Sequence, residues 1–303
     1  MVYGLKKKLP HGFGKIGHFG TLDPFASGLV LVGIAGASRL NDLVHEYLPK
    51  TYLAVGKIGE QTDSADETGQ VIASLSPAEL ESHRFFKTES REISQKIREQ
   101  FMAQDYWQVP PSFSAAKHEG KPLYEYARAG IMIEKPAVKR EILSFEILNI
   151  DKKAREIVFR TTVGSGTYIR TFFEDFLKCF ELKGHLSELK REAIGDLALN
   201  KIVGLPNLEG PKSDTNKWSL NQALEYGICP TAMMPFETLE LPEELQQRFF
   251  QGVRLSLSRF DAQGVSLEKP VWIKDSSYQL RALAEVREGE LCLVINFPPI
   301  GPV

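Results

Sequence analysis

The sequence predicts an α+β fold: a mixed, mainly antiparallel sheet flanked by helices, followed by a small β-rich C-terminal domain. Three observations carry this. Residues 50–58 read as a strand, and 139–150 and 155–163 read as paired strands around a turn at 151–154. Apolar residues recur at helical spacing within 38–48 and again within 90–103. After Pro230 the texture changes to one helix at 242–252 followed by short strands near 254–257, 271–274, 279–286 and 290–294. A chain of 303 residues that is 43% hydrophobic can bury a real core in one large domain or two. The join is expected at 232–236, dividing the chain into 1–233 and 235–303.

In chain order, Val2 and Leu5 suit a short helix limited by Gly4 and Pro10. Gly12 to Gly17 matches G-x-G-x-x-G, but Lys, Pro and His precede it and a Gly/Pro-punctuated loop follows, so the strand and helix of a dinucleotide fingerprint are missing. Lys15 makes no Walker A loop either, because Ile16 stands in the Ser/Thr position. Residues 29–34 read as a buried strand. From Ser38, a plausible N-cap, Leu40, Leu43, Val44, Tyr47 and Leu48 follow at helical spacing until Pro49. Residues 61–70 read as a solvated polar loop; its Asp63, Asp66 and Glu67 lack the Gly and terminal Glu of a calcium-binding loop. Helices are predicted at 77–84 and 90–103, the second with Ile93, Ile97 and Phe101 on one face. A glycine-punctuated strand end at 164–171 runs into a helix near 172–180. Residues 206–216 read as a loop and 219–226 as a short helix.

Composition excludes several classes of function. The net charge of −2 argues against binding polyanions by bulk charge, so a nucleic-acid surface must be a local basic face. Cys179, Cys229 and Cys292 are odd in number and far apart, suggesting neither a disulfide framework nor a zinc site, and fit a reducing cytoplasm. No secretory signal is visible, and the longest apolar run, 28–37, is too short to cross a membrane.

Two stretches stand out. Residues 17–28, Gly-His-Phe-Gly-Thr-Leu-Asp-Pro-Phe-Ala-Ser-Gly, place one acid, Asp23, in an otherwise apolar, small or turn-forming segment. Pro24 removes a donor and forces an extended or turn conformation, so the carboxylate is presented rather than buried. Taken alone, an Asp before Pro is a turn or cap residue. Residues 110–130 mix basic residues with aromatics, the combination that contacts phosphates and stacks on bases. A hairpin with an amphipathic helix accounts for the same residues.

The first stretch resembles the catalytic motif G-H-x-G-x-L-D-P-x-A-x-G of the TruB family of tRNA pseudouridine-55 synthases. The second is similar, in P-P-x-[FY]-S-A-x-K and K-x-L-Y-E-Y-A-R-x-G, to that family's RNA-gripping insertion, here about 110–136. Residues 166–171 resemble its G-T-Y-I-R-T motif. The resemblance spans Val2 to about Gly195 and implies a pseudouridine synthase fold; the C-terminal part is similar in position and pattern to a PUA-type RNA-binding module. It implies a cytoplasmic isomerase acting on a uridine in the T-arm of tRNA. Such an enzyme is expected to be a monomer of the stand-alone bacterial type, with no obligatory protein partner and no membrane.

The implied reaction detaches uracil N1 from ribose C1′, turns the base and rejoins it through C5. It calls for no metal and no cofactor, but for one ionised carboxylate near the sugar, which the resemblance makes Asp23. Glycoside hydrolysis usually employs two carboxylates and a water. An arginine beside a carboxylate favours its charged form and fixes its orientation, and the resemblance implies Arg170 for this role. The target base must leave its stack, and Tyr52 matches the tyrosine that stacks on it. Among substrate-binding residues the resemblance implies His18, Tyr168 and Leu189 near the flipped base, and Lys117, Lys121 and Arg128 on the insertion. Lys190 stands where relatives often carry Arg. On the residues alone, Tyr52 is a strand residue and Arg170 a surface or helix-starting arginine. The family's N-terminal strand and K-P-x-G-x-[ST]-[ST] loop do not precede residue 17, so the native protein is expected to begin upstream of Met1. Two other functions fit the same residues: a tRNA-binding or folding module of this fold with weak catalysis, and a base-excising N-glycosylase.

Overall fold

The structure is a computed structural model that describes residues 2–9, 14–201, 227–262 and 264–297. The predicted loop at 206–216 and helix at 219–226 lie outside the described residues. The chain forms two compact units. One takes in Thr21–Val30 and His45–Ile202, the other Met1–Gly20, Leu31–Val44 and Val203–Val303.

The Thr21–Ile202 unit is built on a six-stranded sheet ordered Ile142–Asp151, Glu156–Val163, Lys50–Ile58, Gly184–Ile194, Leu197–Ala198. The short strand Ser27–Gly28 adds to Gly184–Ile194 in parallel, and the other pairings are antiparallel, giving the mixed sheet expected. Strand Glu156–Val163 alternates strictly, with Ile157, Phe159, Thr161 and Val163 buried, the period-two signature of a sheet with one covered face. Asp151 Oδ1 accepts the Lys153 and Ala154 amides at 2.9 and 2.8 Å, fixing the predicted turn. Arg155 has φ +58°, so the strand starts one residue later than its sequence suggests.

Two helices cover this sheet. Ser90–Phe101 buries Ile93, Ile97 and Phe101, spaced by four, as its pattern predicts. Ile169–Lys178 buries Phe172, Phe173, Phe176 and Leu177 completely. Each such side chain contributes about 1.5–3 kcal/mol by leaving water. Phe173 stacks on Phe159 with ring centroids 5.8 Å apart. It fits only because position 56 has no side chain: a Cβ on Gly56 would stand 2.1 Å from the Phe173 ring. The sheet thus draws in the helix that bears Arg170. Helix Pro77–Ser82 starts with a reciprocal cap between Ser76 and Glu79.

In the second unit, Ile16–Phe19 pairs antiparallel with Leu31–Ile34, so the residue after the false dinucleotide fingerprint opens no helix. The helix expected from Ser38 begins instead at Asn41; Ser38 Oγ donates to the Ala35 carbonyl inside a preceding 3-10 turn and caps nothing. The C-terminal part is a five-stranded sheet ordered Thr238–Glu240, Val271–Lys274, Leu280–Arg287, Glu290–Asn296, Leu255–Ser256. Helix Glu243–Phe250 seals its core with Phe249. Strand Thr238–Glu240 was not expected; its three residues are too few to show a period. No helix among the described residues is long and apolar enough to cross a membrane.

Candidate active site

Residues 21–30 form a loop whose shape follows from its sequence. Asp23 O accepts the Ala26 amide at 2.9 Å, a turn with Pro24 at its second position, where its fixed φ is favoured. The chain then runs along strand Gly184–Ile194, pairing Ser27 with Lys190 and Gly28 with Arg191. Gly28 has φ +111°, and a Cβ there would meet the Arg191 carbonyl oxygen at 2.3 Å. Only glycine lets the loop come this close. Arg191 locks the approach twice: its carbonyl accepts the Leu29 amide at 2.9 Å, and its Nε donates to the Leu29 carbonyl at 2.6 Å.

Asp23 meets Arg170 as a two-pronged pair. Nε donates to Oδ2 at 2.8 Å and Nη2 to Oδ1 at 2.9 Å. The Arg170 side chain is 2% exposed and that of Asp23 30%, so the arginine is sunk and the carboxylate faces outward. Nη2 also donates to the Phe113 carbonyl at 2.8 Å and Nη1 to the Ser64 carbonyl at 2.6 Å, while Nη1 lies 3.4 Å from Asp66 Oδ2. Four of the five N–H groups of the guanidinium thus donate to fixed acceptors, and the Asp66 carboxylate stands beside Nη1 as an ion-pair partner. Arg170 sits in the first turn of Ile169–Lys178, which begins three residues earlier than its sequence suggests.

Asp66 corrects the reading of 61–70 as a solvated loop. Its side chain is 6% exposed, and Oδ1 accepts from Ser64 Oγ at 2.9 Å, Thr68 N at 3.0 Å and Thr68 Oγ1 at 2.5 Å. The signal was present: an Asp with hydroxyl residues two positions to either side suits a local Asx turn. Gln108 is a second residue the motifs did not reveal. Buried at 1% exposure, it accepts the Tyr168 amide at 2.8 Å and donates to the Tyr168 carbonyl at 3.0 Å, pinning the residue before the Arg170 helix. Its amide also donates to Tyr106 Oη at 2.9 Å, and Tyr106 donates to Asp175 at 2.7 Å. Burial, with the Asp175 charge behind it, pushes the Tyr106 phenol far up.

Tyr52 lies directly opposite Arg191 in the sheet, as Ala54 lies opposite Leu189. It is half-buried. Burial raises its phenol; the Arg191 charge and hydrogen bond oppose this, and the Asp23 charge adds to it. Tyr52 and Asp23 thus feel each other electrostatically. Leu189 is 6% exposed and packs in the main core. Lys190 is exposed, and its buried neighbour Arg191 is the cation against Tyr52, because side chains alternate faces along a strand.

The structure therefore brings together Asp23, Tyr52 and Arg170, with Tyr168 beside Arg170 in the chain and Leu189 beside the Tyr52–Arg191 pair. His18 is exposed on Ile16–Phe19, opposite Val32, in the other unit. On the insertion, Lys117–His118 and Lys121–Pro122 form a hairpin through Glu119 and Gly120, both at positive φ, and helix Leu123–Arg128 follows. Lys117, Lys121 and Arg128 are exposed, with the Arg128 guanidinium 5.4 Å from the Tyr124 ring centre. Among the described residues no group of three or more His, Cys, Asp or Glu side chains could hold a metal ion.

Residues 6–169 match the profile of TruB family pseudouridylate synthase (N terminal domain). The chain is 36% identical over 256 residues to tRNA pseudouridine synthase B of Psychrobacter arcticus, a match covering 84% of this chain and 62% of that protein. Against the protein of the same name from Hydrogenovibrio crunogenus, identity is 37% over 64% of this chain and 60% of that one. Against the one from Burkholderia lata it is 33% over 91% of this chain and 80% of that one. The chain thus spans about three fifths of the length of the first two. Among solved structures, a Cbf5-Nop10-Gar1 complex superposes with a TM-score of 0.55 at 19% identity, covering 98% of this chain and 79% of that one. An archaeal box H/ACA sRNP Nop10-Cbf5 complex gives 0.57 at 18%, covering 97% and 79%. These two likenesses establish the fold.

Proposed function

Because the chain belongs to the TruB family of pseudouridine synthases, we propose that it isomerises the uridine at position 55, in the T-arm of tRNA, to pseudouridine. The bond from C1′ to N1 breaks, the base turns, and C1′ joins C5, which gives up its proton while N1 gains one. Asp23 acts on the ribose, either by attacking C1′ or by removing the C2′ proton. The observation that carries this reading is the two-pronged Arg170 contact, which occupies one side of the Asp23 carboxylate and leaves the other exposed. A carboxylate oxygen has two acceptor directions, so a free one remains for the sugar on each oxygen.

The guanidinium grips the carboxylate through two hydrogen bonds, so the anion retains its partner when RNA covers the site and excludes water. Tyr52 offers the flipped uracil a ring face, and Leu189 and Tyr168, in the same unit, complete the base-binding set. Its raised phenol stays protonated at neutral pH, which suits a neutral stacking surface. Lys117, Lys121 and Arg128 hold the T-arm phosphates, and folded stem-loop shape contributes to recognition. In this reading the protein works as a cytoplasmic monomer without an obligatory protein partner. The test is incubation with an unmodified tRNA transcript and mapping of the product. Pseudouridine at position 55 without free uracil supports the proposal. Free uracil would mark an N-glycosylase, and RNA binding without product would mark a folding module.

A further inference from the structure

The loop 164–167, which joins strand Glu156–Val163 to the Arg170 helix, gathers cations that the reaction at Asp23 does not use. His45 Nδ1 lies 2.9 Å from Ser165 Oγ, and Lys50 Nζ donates to the same hydroxyl at 3.4 Å. One residue on, the Arg140 guanidinium packs against Gly166, where a Cβ would stand 3.0–3.2 Å from its central carbon and terminal nitrogens. Arg191 belongs to the same neighbourhood: burial first, and then the Arg191 charge, bring the Lys50 ammonium down to about 8. The carboxylate beside this loop is that of Glu141, which packs near Gly164 and is exposed.

Arg140 differs from its neighbours. It is half-buried, its Nε is shut off from water and reaches no acceptor, and it has no carboxylate partner among the described residues. Desolvating a guanidinium without an anion is costly, so the arrangement is completed by an anion that arrives from outside. A guanidinium fork and a hydroxyl on one loop suit a phosphate, which accepts from both. Gly166 is exposed and has no side chain to obstruct the approach. The place also suits RNA. Lys50 is two residues from Tyr52, Arg191 hydrogen-bonds Tyr52, and the loop leads directly to Arg170.

We propose that Arg140, with the Ser165 hydroxyl that His45 and the buried Lys50 back, binds one backbone phosphate of the RNA strand beside the nucleotide that enters the Asp23 site. The inference rests on the RNA-modifying function proposed above. It is tested with synthetic T-arm stem-loops carrying a single neutral methylphosphonate linkage, placed in turn on either side of the target and flanking nucleotides. Dissociation constants are measured against salt for the wild-type protein and for Arg140→Ala and Arg140→Lys. One linkage should weaken wild-type binding about tenfold and flatten its salt dependence by about one unit of slope. The same linkage should have no further effect on Arg140→Ala, and Arg140→Lys should recover part of the lost affinity. Because the altered linkage is in the RNA, the wild-type measurement stands even if Arg140→Ala folds poorly. Equal weakening of wild type and Arg140→Ala by every linkage would overturn the site. If that happens while the RNA is still converted, the catalytic reading survives alone. Coupling of one linkage to Arg140 in an RNA that is never converted would leave the phosphate site standing and sink the catalytic reading.

Discussion

Arg170 and Arg128 sit in the same unit and put the same side chain to opposite uses. The guanidinium of Arg170, at 2% exposure, donates to Asp23 and two carbonyls and pairs with Asp66. Arg128 lies exposed along the Tyr124 ring on a short helix. The first is rigid because four fixed hydrogen bonds and an ion pair hold it, which places the carboxylate it holds. The second has its donors in water, so they can be handed to a ligand without stranding anything inside. Saturation marks a group that positions, and availability marks a group that binds.

The comparison breaks most sharply at Arg170. Arg170→Met should leave Asp66 buried without its cation and the Ser64 and Phe113 carbonyls unpaired. We expect a loss of about 3–5 kcal/mol in urea unfolding together with loss of turnover. Arg170→Lys should fail as well, since an ammonium cannot supply the fork.

Lys50 tests whether the buried side of the comparison titrates with the fold. Its proton is held less tightly folded, at about 8, than in the free side chain at 10.5. Between those values the unfolded chain carries a proton the folded chain lacks, so stability rises with pH across that window. The Lys50 contribution is at its least favourable below pH 8 and is relieved by about 3 kcal/mol on reaching pH 10.5. Lys50→Met should lack this rise when unfolding is followed from pH 7.5 to 10.5.

Gln108→Leu should cost about 1–3 kcal/mol by leaving the Tyr168 amide and carbonyl without partners. Because the Arg170 helix would then start loosely, kcat should fall more than KM rises. The smallest effect on the fold belongs to the insertion. Lys117→Ala and Arg128→Ala should change stability by less than about 0.5 kcal/mol. Each should nevertheless weaken RNA binding and lower the salt slope by about one. A melting temperature that drops with Arg128→Ala would erase the contrast.

The same contrast explains what was legible in the sequence. Strand Lys50–Ile58, the hairpin around 151–154 and the Ile93/Ile97/Phe101 stripe were legible because period and turn chemistry are local. Asp23, Tyr52 and Arg170 were legible through their motifs, although their meeting is a tertiary event. Asp66, Gln108 and Arg191 were not, because what distinguishes them is burial against distant partners. Asp66 looked like a loop acid until the Arg170 guanidinium was placed beside it. Arg191 was passed over in the sequence, and only the register showed that it faces Tyr52. Strand phase at that point follows bulges after Leu186 and Arg191, which no local pattern announces.

The central claim is that Asp23 is a presented catalytic carboxylate and Arg170 its holder. The most direct measurement compares wild type with Asp23→Asn on an unmodified tRNA transcript, following pseudouridine formation and RNA affinity in the same samples. The account predicts that Asp23→Asn loses at least about a thousandfold in rate while its dissociation constant for the RNA stays within about threefold of wild type. Pseudouridine formed by Asp23→Asn at a rate near that of wild type would contradict it.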